Sequence, residues 1–402
     1  MPARDSGPLA GRRLWLVGIG GAGLSAYAIL ARAWGAEVAG WDRAETPYLA
    51  NVRDAGIDVS VSAEPPETPA GFEAYVSTAY GTRAAGRPRA ELLAELVSLR
   101  PAIVVTGAHG KTTTAAMIAF CLDRLGLAPA YVVGGEVPQL GGNAGVGEGW
   151  LVVEGDESDR SVFALAPEIA VVTNVDLDHH TTFASLADLR TELDRWLATI
   201  PRVVRGWELE PLDAALAVPG EHNRRNAAAA VAAIDVATGR GDEAADAVLD
   251  FRGAGRRFEV RGEAGGVRVV DDYAHNPAKV SAVVAAAREA ASGGRVIVLF
   301  QPHLYSRTVH LAAEFADALA RADAVVVTEI YGAREEPWPG VNGKLVVDRI
   351  AERRPGMPLA WAPSLDDAAR LVTLRARAGD LVLTVGAGDV DRAADRILEL
   401  LR

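Results

Sequence analysis

Ala102-Ile-Val-Val-Thr-Gly-Ala-His-Gly-Lys-Thr-Thr-Thr-Ala-Ala-Met-Ile-Ala119 is the stretch from which the fold can be read. Ile103 to Val105 is a short apolar run and predicts a buried strand. Gly107 and Gly110 break it, Lys111 and Thr112 follow, and Thr113 to Phe120 predict a helix. A strand, a glycine turn and a helix that opens on Lys-Thr hold polyphosphate for a simple reason. Glycines let backbone N–H groups approach phosphate oxygens, the helix start adds partial positive charge, the lysine adds a full one, and a threonine hydroxyl can ligate Mg²⁺. The usual phosphate loop has four residues between its glycines; here only Ala108 and His109 separate Gly107 from Gly110.

Upstream, Leu14 to Val17 predicts a strand, Gly18-Ile-Gly-Gly-Ala-Gly23 a turn, Leu24 to Trp34 a helix, and Glu37 to Trp41 a second strand ending at Asp42. The glycines follow G-x-G-x-x-G, and the acid lies 19 residues past the last of them. This spacing fits a dinucleotide, another phosphate ligand, or a packing turn. A second phosphate loop in the same chain disfavours a nicotinamide oxidoreductase. Pro65, Pro66 and Pro69 mark a loop, Ala74 to Thr78 a strand and Ala90 to Leu99 a helix. The alternation predicts a doubly wound α/β domain over residues 1–99.

A second α/β domain is expected over 100–251. Gly134 to Gly149 reads as a glycine-rich loop and Trp150 to Val153 as a strand, followed by the acidic run Glu154-Gly-Asp-Glu-Ser-Asp159. Ile169 to Thr173 reads as a strand ending in Asn174-Val-Asp-Leu-Asp-His-His180. Ligands of open parallel sheets bind at the carboxyl ends of the strands, so both clusters should meet the Lys111 loop. Thr112 and Glu154 suit Mg²⁺, which takes one or two protein oxygens beside phosphate and water; His179 is a candidate for a second ion. A helix Leu186 to Leu197 precedes an irregular stretch to Pro219. The next helix opens on Gly220-Glu-His-Asn-Arg-Arg-Asn226, whose Asn223 and Asn226 either read a purine edge or cap the helix.

A third α/β domain, 252–402, carries polar groups at its strand ends. These are Gly255-Arg-Arg-Phe258 at a turn, Asp271-Asp-Tyr-Ala-His-Asn-Pro277 after the strand Val267 to Val270, and Gln301-Pro-His-Leu-Tyr-Ser-Arg-Thr308 after Val296 to Phe300. Further strands, Ala324 to Thr328 and Leu381 to Val385, run into Glu329-Ile-Tyr331 and Gly386-Ala-Gly-Asp389.

The chain has 402 residues, half of them hydrophobic, and a net charge of -12, which argues against a nucleic-acid partner. No apolar run reaches the roughly 20 residues of a membrane span. The polar N-terminus lacks the apolar stretch of a signal peptide, so a cytoplasmic location is expected. Cys121 is the single cysteine, which excludes an internal disulfide and a thiolate metal cluster, and it is expected in a helix core.

Nine strings in one order resemble the Mur ligases of peptidoglycan synthesis, and Phe-Gln-Pro-His-Leu-Tyr-Ser-Arg-Thr308 is similar to the alanine-adding branch over the tripeptide-recycling branch. The resemblance implies three α/β domains, an N-terminal Rossmann-like one for the UDP-sugar, a central P-loop-type ATPase domain, and a C-terminal Rossmann-like one for ATP and amino acid. It implies ATP and Mg²⁺, with UDP-N-acetylmuramate and L-alanine as substrates joined through an acyl phosphate, in a monomer or weak homodimer. By residue, it implies Lys111, His179, Arg257 and His275 for catalysis. Gly107, His109, Gly110, Lys111, Thr112, Thr113, His222, Asn223, Asn226, Arg257, Asp271 and Asp272 would contact ATP. Gly18, Gly20 and Gly23 would hold the UDP diphosphate, with Gly21, Ala22 and Asp42 also on the UDP-sugar, and Tyr273, His275, His303 and Arg307 would line the alanine end. Thr112, Glu154 and His179 would hold metal.

The sequence departs from the family pattern in three places. Leu304 stands where arginine is usual and Asn276 where a second histidine is usual. Only 38 positions separate Thr182 from Gly220, where the family has a longer segment with additional strands, so the central domain is expected to be trimmed at its periphery. With lysine only at 111, 279 and 344, the carbamoylated lysine of some family members has no equivalent in this domain. A related ligase using another amine or acid, and a weakly catalytic binder of UDP-sugar and ATP, are the remaining alternatives.

Overall fold

The computed structural model describes residues 7–81, 84–157, 159–176, 182–333 and 335–402. They fold into two compact units. One holds the residues up to Leu216 together with Arg224–Arg252; the other holds Ala217–Asn223 with Gly253–Arg402.

The first unit contains two sheets. One has the order β3-β2-β1-β4-β5, all parallel, from β1 (Arg13–Val17), β2 (Glu37–Asp42), β3 (Asp58–Val61), β4 (Glu73–Val76) and β5 (Arg87–Pro88). Its helices are α1 (Ala22–Ala33), α2 (Tyr48–Asp54) and α3 (Arg89–Ser98). The other sheet has the order β11-β10-β6-β9-β7-β8, from β6 (Ala102–Thr106), β7 (Ala130–Val137), β8 (Gly142–Val146), β9 (Leu151–Glu154), β10 (Ile169–Val172) and β11 (Arg202–Arg205). All its pairs are parallel except β7 with β8. Its helices are α4 (Lys111–Arg124), α5 (Leu186–Leu197), α6 (Glu221–Thr238) and α7 (Gly241–Ala247); the first three residues of α6 belong with the second unit.

β6 lies between β9 and β10, and Val105 registers with Glu154 while Thr106 registers with Val172. The segments leaving these three parallel strands therefore start side by side. All five residues of β6 are buried, as expected of a strand covered on both faces. α4 is buried from Thr112 to Leu122, so it reads as apolar all round and not as a surface helix. Cys121 lies inside it, its sulfur 3.8 Å from the Ala244 carbonyl, and burial pushes the thiol up to about 12. One apolar cluster joins Leu14, Leu16, Leu30 and Leu96 to Val104, Val153 and Val172, so the two sheets of this unit share a core.

The stretch Gly134 to Gly149, expected as a loop, contains the end of β7 and all of β8. A Cβ on Gly145 would lie 2.0 Å from the Tyr131 ring of the paired strand. Glycine is needed there for close approach, and the composition that reads as a loop is a hairpin. β11 falls in the stretch expected to be irregular, as a four-residue strand at the sheet edge. Between β11 and α6 no described residue is in a strand.

The second unit is a single sheet in the order β12-β13-β17-β14-β15-β16, with β12 (Glu259–Ala264) antiparallel to β13 (Val267–Asp272). β14 (Val296–Phe300), β15 (Ala324–Val327), β16 (Leu359–Trp361) and β17 (Leu381–Val385) complete it, all parallel. Its helices are α8 (Pro277–Ala290), α9 (Tyr305–Leu319), α10 (Lys344–Arg353), α11 (Leu365–Arg375) and α12 (Asp391–Leu401). Separate apolar clusters cover the two faces, as in a doubly wound sheet. Among the described residues, no helix is long and apolar enough to cross a membrane.

Candidate functional site

The loop between β6 and α4 is fixed from below. Gly107 has φ +123°, and a Cβ there would meet Thr173 Oγ1 at 2.4 Å. Gly110 has φ +81°, and its Cβ would meet Asn226 Oδ1 at 2.2 Å. Both positions thus require glycine twice over, by backbone conformation and by space. The His109 N–H donates to Asn174 Oδ1 at 2.9 Å, while its carbonyl accepts from Asn174 Nδ2 at 2.8 Å and Thr173 Oγ1 at 2.6 Å. Its ring Nε2 lies 3.6 Å from Asp176. Lys111 Nζ donates to the Gly107 carbonyl at 2.8 Å and to both Glu157 oxygens at 3.1 and 3.0 Å. Glu157 is buried and also accepts from Thr106 Oγ1 at 3.3 Å. Burial disfavours the Lys111 charge, but Glu157, Asp156 and Glu154 outweigh it and hold the ammonium above the ordinary lysine range.

Thr112 Oγ1 donates to Glu154 Oε1 at 3.0 Å, and Glu154 Oε2 accepts from the Gly134 N–H at 2.7 Å. A hydroxyl and a carboxylate side by side are a hard-oxygen pair of the kind Mg²⁺ takes with phosphate and water. No cluster of three or more His, Cys, Asp or Glu fit for a metal is found among the described residues. His179 lies outside the described residues. Thr113 is buried in the first turn of α4.

The glycine loop Gly18–Gly23 follows β1. Gly18 has φ +88°, and a Cβ there would touch Ser77 and Tyr80. The Gly20 N–H donates to Asp42 Oδ2 at 2.8 Å; Asp42 Oδ1 accepts from the Arg43 N–H at 2.7 Å and from the Tyr80 hydroxyl at 3.3 Å. Buried Asp42 therefore braces the loop from beneath. Gly21 is the N-cap of α1 and Ala22 its first residue, whose carbonyl accepts from Asn143 Nδ2 at 2.7 Å.

In the second unit, Asp271 is fully buried, taken up by Arg256 Nε at 3.0 Å and Thr384 Oγ1 at 2.6 Å. Burial still pushes its carboxyl up to about 6. Asp272 accepts from the Phe258 and Ala274 N–H groups, both at 2.8 Å. Arg256 also donates to the carbonyls of Gly388 and Gly386, while Arg257 lies 5.0 Å from the centre of the Tyr273 ring. Arg256 thus pins the Gly386–Gly388 turn, and both arginines lie on the Tyr273 ring, Arg256 at 5.2 Å and Arg257 at 5.0 Å.

His275 Nδ1 meets the Tyr273 carbonyl at 2.9 Å, so that nitrogen carries the proton and Nε2 is the acceptor. His303 Nδ1 meets Arg307 Nη1 at 3.3 Å, which leaves its proton on Nε2. The two rings are 6.0 Å apart, and His303 stacks on Tyr331 at 5.8 Å. Burial, with Lys279, lowers His275 to about 3; burial, with Arg307, lowers His303 to about 4. Asn276 caps α8, its side chain accepting from the Lys279 N–H. Asn223 donates to the Pro219 carbonyl at 2.8 Å, and Gly220 packs on His222. Leu304 sits at φ +71°, an uncommon conformation for a branched side chain.

Glu157, Asn174 and Arg256 were not singled out from the sequence. All three stand inside strings that were, and Arg256 stands next to Arg257, which was. Nothing in the sequence distinguishes Glu157 from Glu154; Glu154 ends β9 and Glu157 lies in the loop beyond it.

The chain matches the Mur ligase middle domain over residues 105–195 and the Mur ligase glutamate ligase domain over residues 256–388. It is 42% identical to a UDP-N-acetylmuramate–L-alanine ligase from Kineococcus radiotolerans, over 97% of this chain and 96% of that one. A protein of the same name from Rubrobacter xylanophilus is 38% identical over 97% of this chain and 100% of its own. The Kineococcus alignment runs over 457 positions against 402 residues here, so that relative carries residues with no counterpart in this chain. A solved UDP-N-acetylmuramate–alanine ligase from Thermotoga maritima superposes with a TM-score of 0.81 at 27% identity, over 96% of this chain and 98% of that one. On fold, motif order and full-length similarity, the chain belongs to the Mur ligase family.

Proposed function

We propose that this chain is an ATP-dependent ligase that joins L-alanine to the carboxylate of UDP-N-acetylmuramate in peptidoglycan precursor synthesis, as a cytoplasmic monomer or weak homodimer. Residues 1–99 would take the UDP-sugar, 100–251 ATP, and 252–402 ATP and the amino acid. The observation that carries the reading is Lys111, presented by a glycine loop beside two acid-bearing strand ends, in a chain that spans nearly all of relatives named for that reaction.

The reaction needs anions aligned and their charge cancelled more than it needs covalent help from the protein. The sugar carboxylate attacks the γ-phosphate to give an acyl phosphate and ADP; the alanine amine then displaces phosphate. Lys111, which now gives its hydrogens to Glu157, would give them to phosphate oxygens. Thr112 and Glu154 would hold Mg²⁺, with His179 the candidate for a second ion; bound there, the metal supplies charge neutralisation between phosphates. Arg257 would neutralise further phosphate charge, and Arg307, a planar fork, would take the alanine carboxylate. The acceptor Nε2 of His275 would face the amine. Asn226, packed on Gly110, would hold the loop in shape. Asp271 and Asp272 are engaged with their own unit and would act on ATP by supporting Arg256 and the backbone at Phe258 and Ala274.

The test is ADP release with UDP-N-acetylmuramate and each of alanine, glycine and serine. Release with alanine well above the others is expected. Release that requires a different amine would favour the second reading, a related ligase, which Leu304 motivates. Tight UDP-sugar binding with no ADP release for any amine would make the chain a binder.

A further inference from the structure

α3 begins at Arg89, and its guanidinium does not point to solvent. Arg89 Nε donates to Thr78 Oγ1 at 3.2 Å, just past the end of β4. Nη2 donates to Asp159 Oδ2 at 2.8 Å, an acid of the run that follows β9. The third nitrogen, Nη1, donates to no described residue and lies 2.9 Å from where a Cβ on Gly23 would stand. The side chain is about four-fifths covered. A charged donor is thus laid over the first turn of α1, at the one position of that turn where the missing Cβ leaves room for it.

Two features around it point the same way. Tyr27, one turn further along α1, is buried; its hydroxyl is pushed up to about 12 by burial and stays a neutral donor near the same spot. Asp159 is held below the ordinary carboxylate range despite its burial, by Ser161 and Arg89. Together with Thr78 it therefore holds Arg89 aimed. A side chain with two of its three nitrogens anchored and the third presented over a glycine loop has lost most of its conformational freedom before any ligand arrives.

We propose that Arg89 is the cation that reads the diphosphate of the nucleotide-sugar at the Gly18–Gly23 loop. Backbone donors of the loop fix where the diphosphate lies; Arg89 supplies the full charge that separates a diphosphate from a neutral nucleoside. Because Asp159 belongs to the run that also holds Glu154 and Glu157, Arg89 ties the sugar-nucleotide loop to the strand end that faces Lys111. Arg89 is a substrate-binding residue and does not touch the reacting carboxylate. The inference rests on the proposed function in one respect only, that the glycine loop takes a UDP-sugar.

The experiment is calorimetric titration of the full chain, without ATP, using UDP and uridine as probes. The proteins are the wild type, Arg89→Gln and Arg89→Lys. A charge-assisted hydrogen bond to phosphate predicts that Arg89→Gln weakens UDP binding about 10- to 100-fold and leaves uridine binding unchanged. Arg89→Lys should recover part of the loss. In steady state, Arg89→Gln should raise the KM for the UDP-sugar, with kcat and the KM for ATP near wild type. A merely structural residue would lower binding of both probes together. An Arg89→Gln protein that still prefers UDP over uridine as the wild type does would overturn the assignment while leaving the proposed function standing. A wild type that does not distinguish UDP from uridine would remove both.

Discussion

Lys111 and Glu157 form an ion pair with side chains only 13% and 6% exposed. Removing one partner of such a pair leaves the other charged and buried, which costs about 3–5 kcal/mol. Glu157→Gln should therefore lower the stability of the nucleotide-free chain by that order in urea unfolding, and excess ATP should restore much of it, because phosphate oxygens replace the lost carboxylate. No ATP-dependent recovery would mean that Lys111 does not meet phosphate. Lys111→Ala should cut ADP release at least 10²- to 10³-fold while UDP-sugar affinity stays near wild type; wild-type turnover would end the assignment. Arg307→Ala should chiefly raise the KM for alanine, and an unchanged KM would remove it from the amino-acid end. At this scale the sequence named the strings but not which member of each is bonded inward. Nothing in it separates Arg256 from Arg257, or Glu157 from Glu154. That choice is made in the loops after β9 and before β12, where the backbone path and not strand alternation aims each side chain.

Elements were legible where they are buried. β6, β10, β14 and β17 are continuous apolar runs, as strands covered on both faces must be. Those missed are the six edge strands, β3, β5, β8, β11, β12 and β16, and the interior β7. An edge strand is half exposed and needs no apolar pattern, and in β8 glycines mask the pairing. The loops are where local rules make sharp predictions. Gly110→Ala places a Cβ in left-handed backbone against Asn226. It should destabilise the first unit by about 1–2 kcal/mol from conformation alone, and Gly110→Ala with Asn226→Ala should recover the part due to collision. Equal stabilities for the single and double variants would show that Asn226 gives way freely. Asn276, flagged as a departure from the family pattern, has a local task as the cap of α8, and Asn276→Ala should cost about 1 kcal/mol.

For the molecule as a whole, three tandem α/β layers followed from the alternation of strands and helices, but the division into two compact units did not. That division depends on the apolar cluster shared by the first two sheets, which no local pattern reveals. Titration gives a prediction at this scale. His275 and His303 are held well below the ordinary histidine value, so the unfolded chain binds their protons first. The stability they confer is present above about pH 6.5 and is lost as pH falls toward 4 and 3, at a slope of up to about 1.4 kcal/mol per pH unit for each ring. Asp271, held up near 6, acts in the opposite sense between about pH 4 and 6, where its contribution is lost as pH rises. Thermal unfolding of wild type and His275→Gln across pH 4–7 separates the two, since the variant should show the shallower acid loss. An identical profile would mean that His275 is not kept neutral by its surroundings.

The lone sulfhydryl at Cys121 carries a last consequence. Sealed within the helix that starts at Lys111, and too weakly acidic to ionise near neutral pH, it is out of reach of alkylating reagents while that helix stays packed. Its labelling rate is a ready-made clock for local opening of the nucleotide-side helix, with no engineered probe. Saturating nucleotide should slow that clock, and uridine alone should leave it running at its original pace.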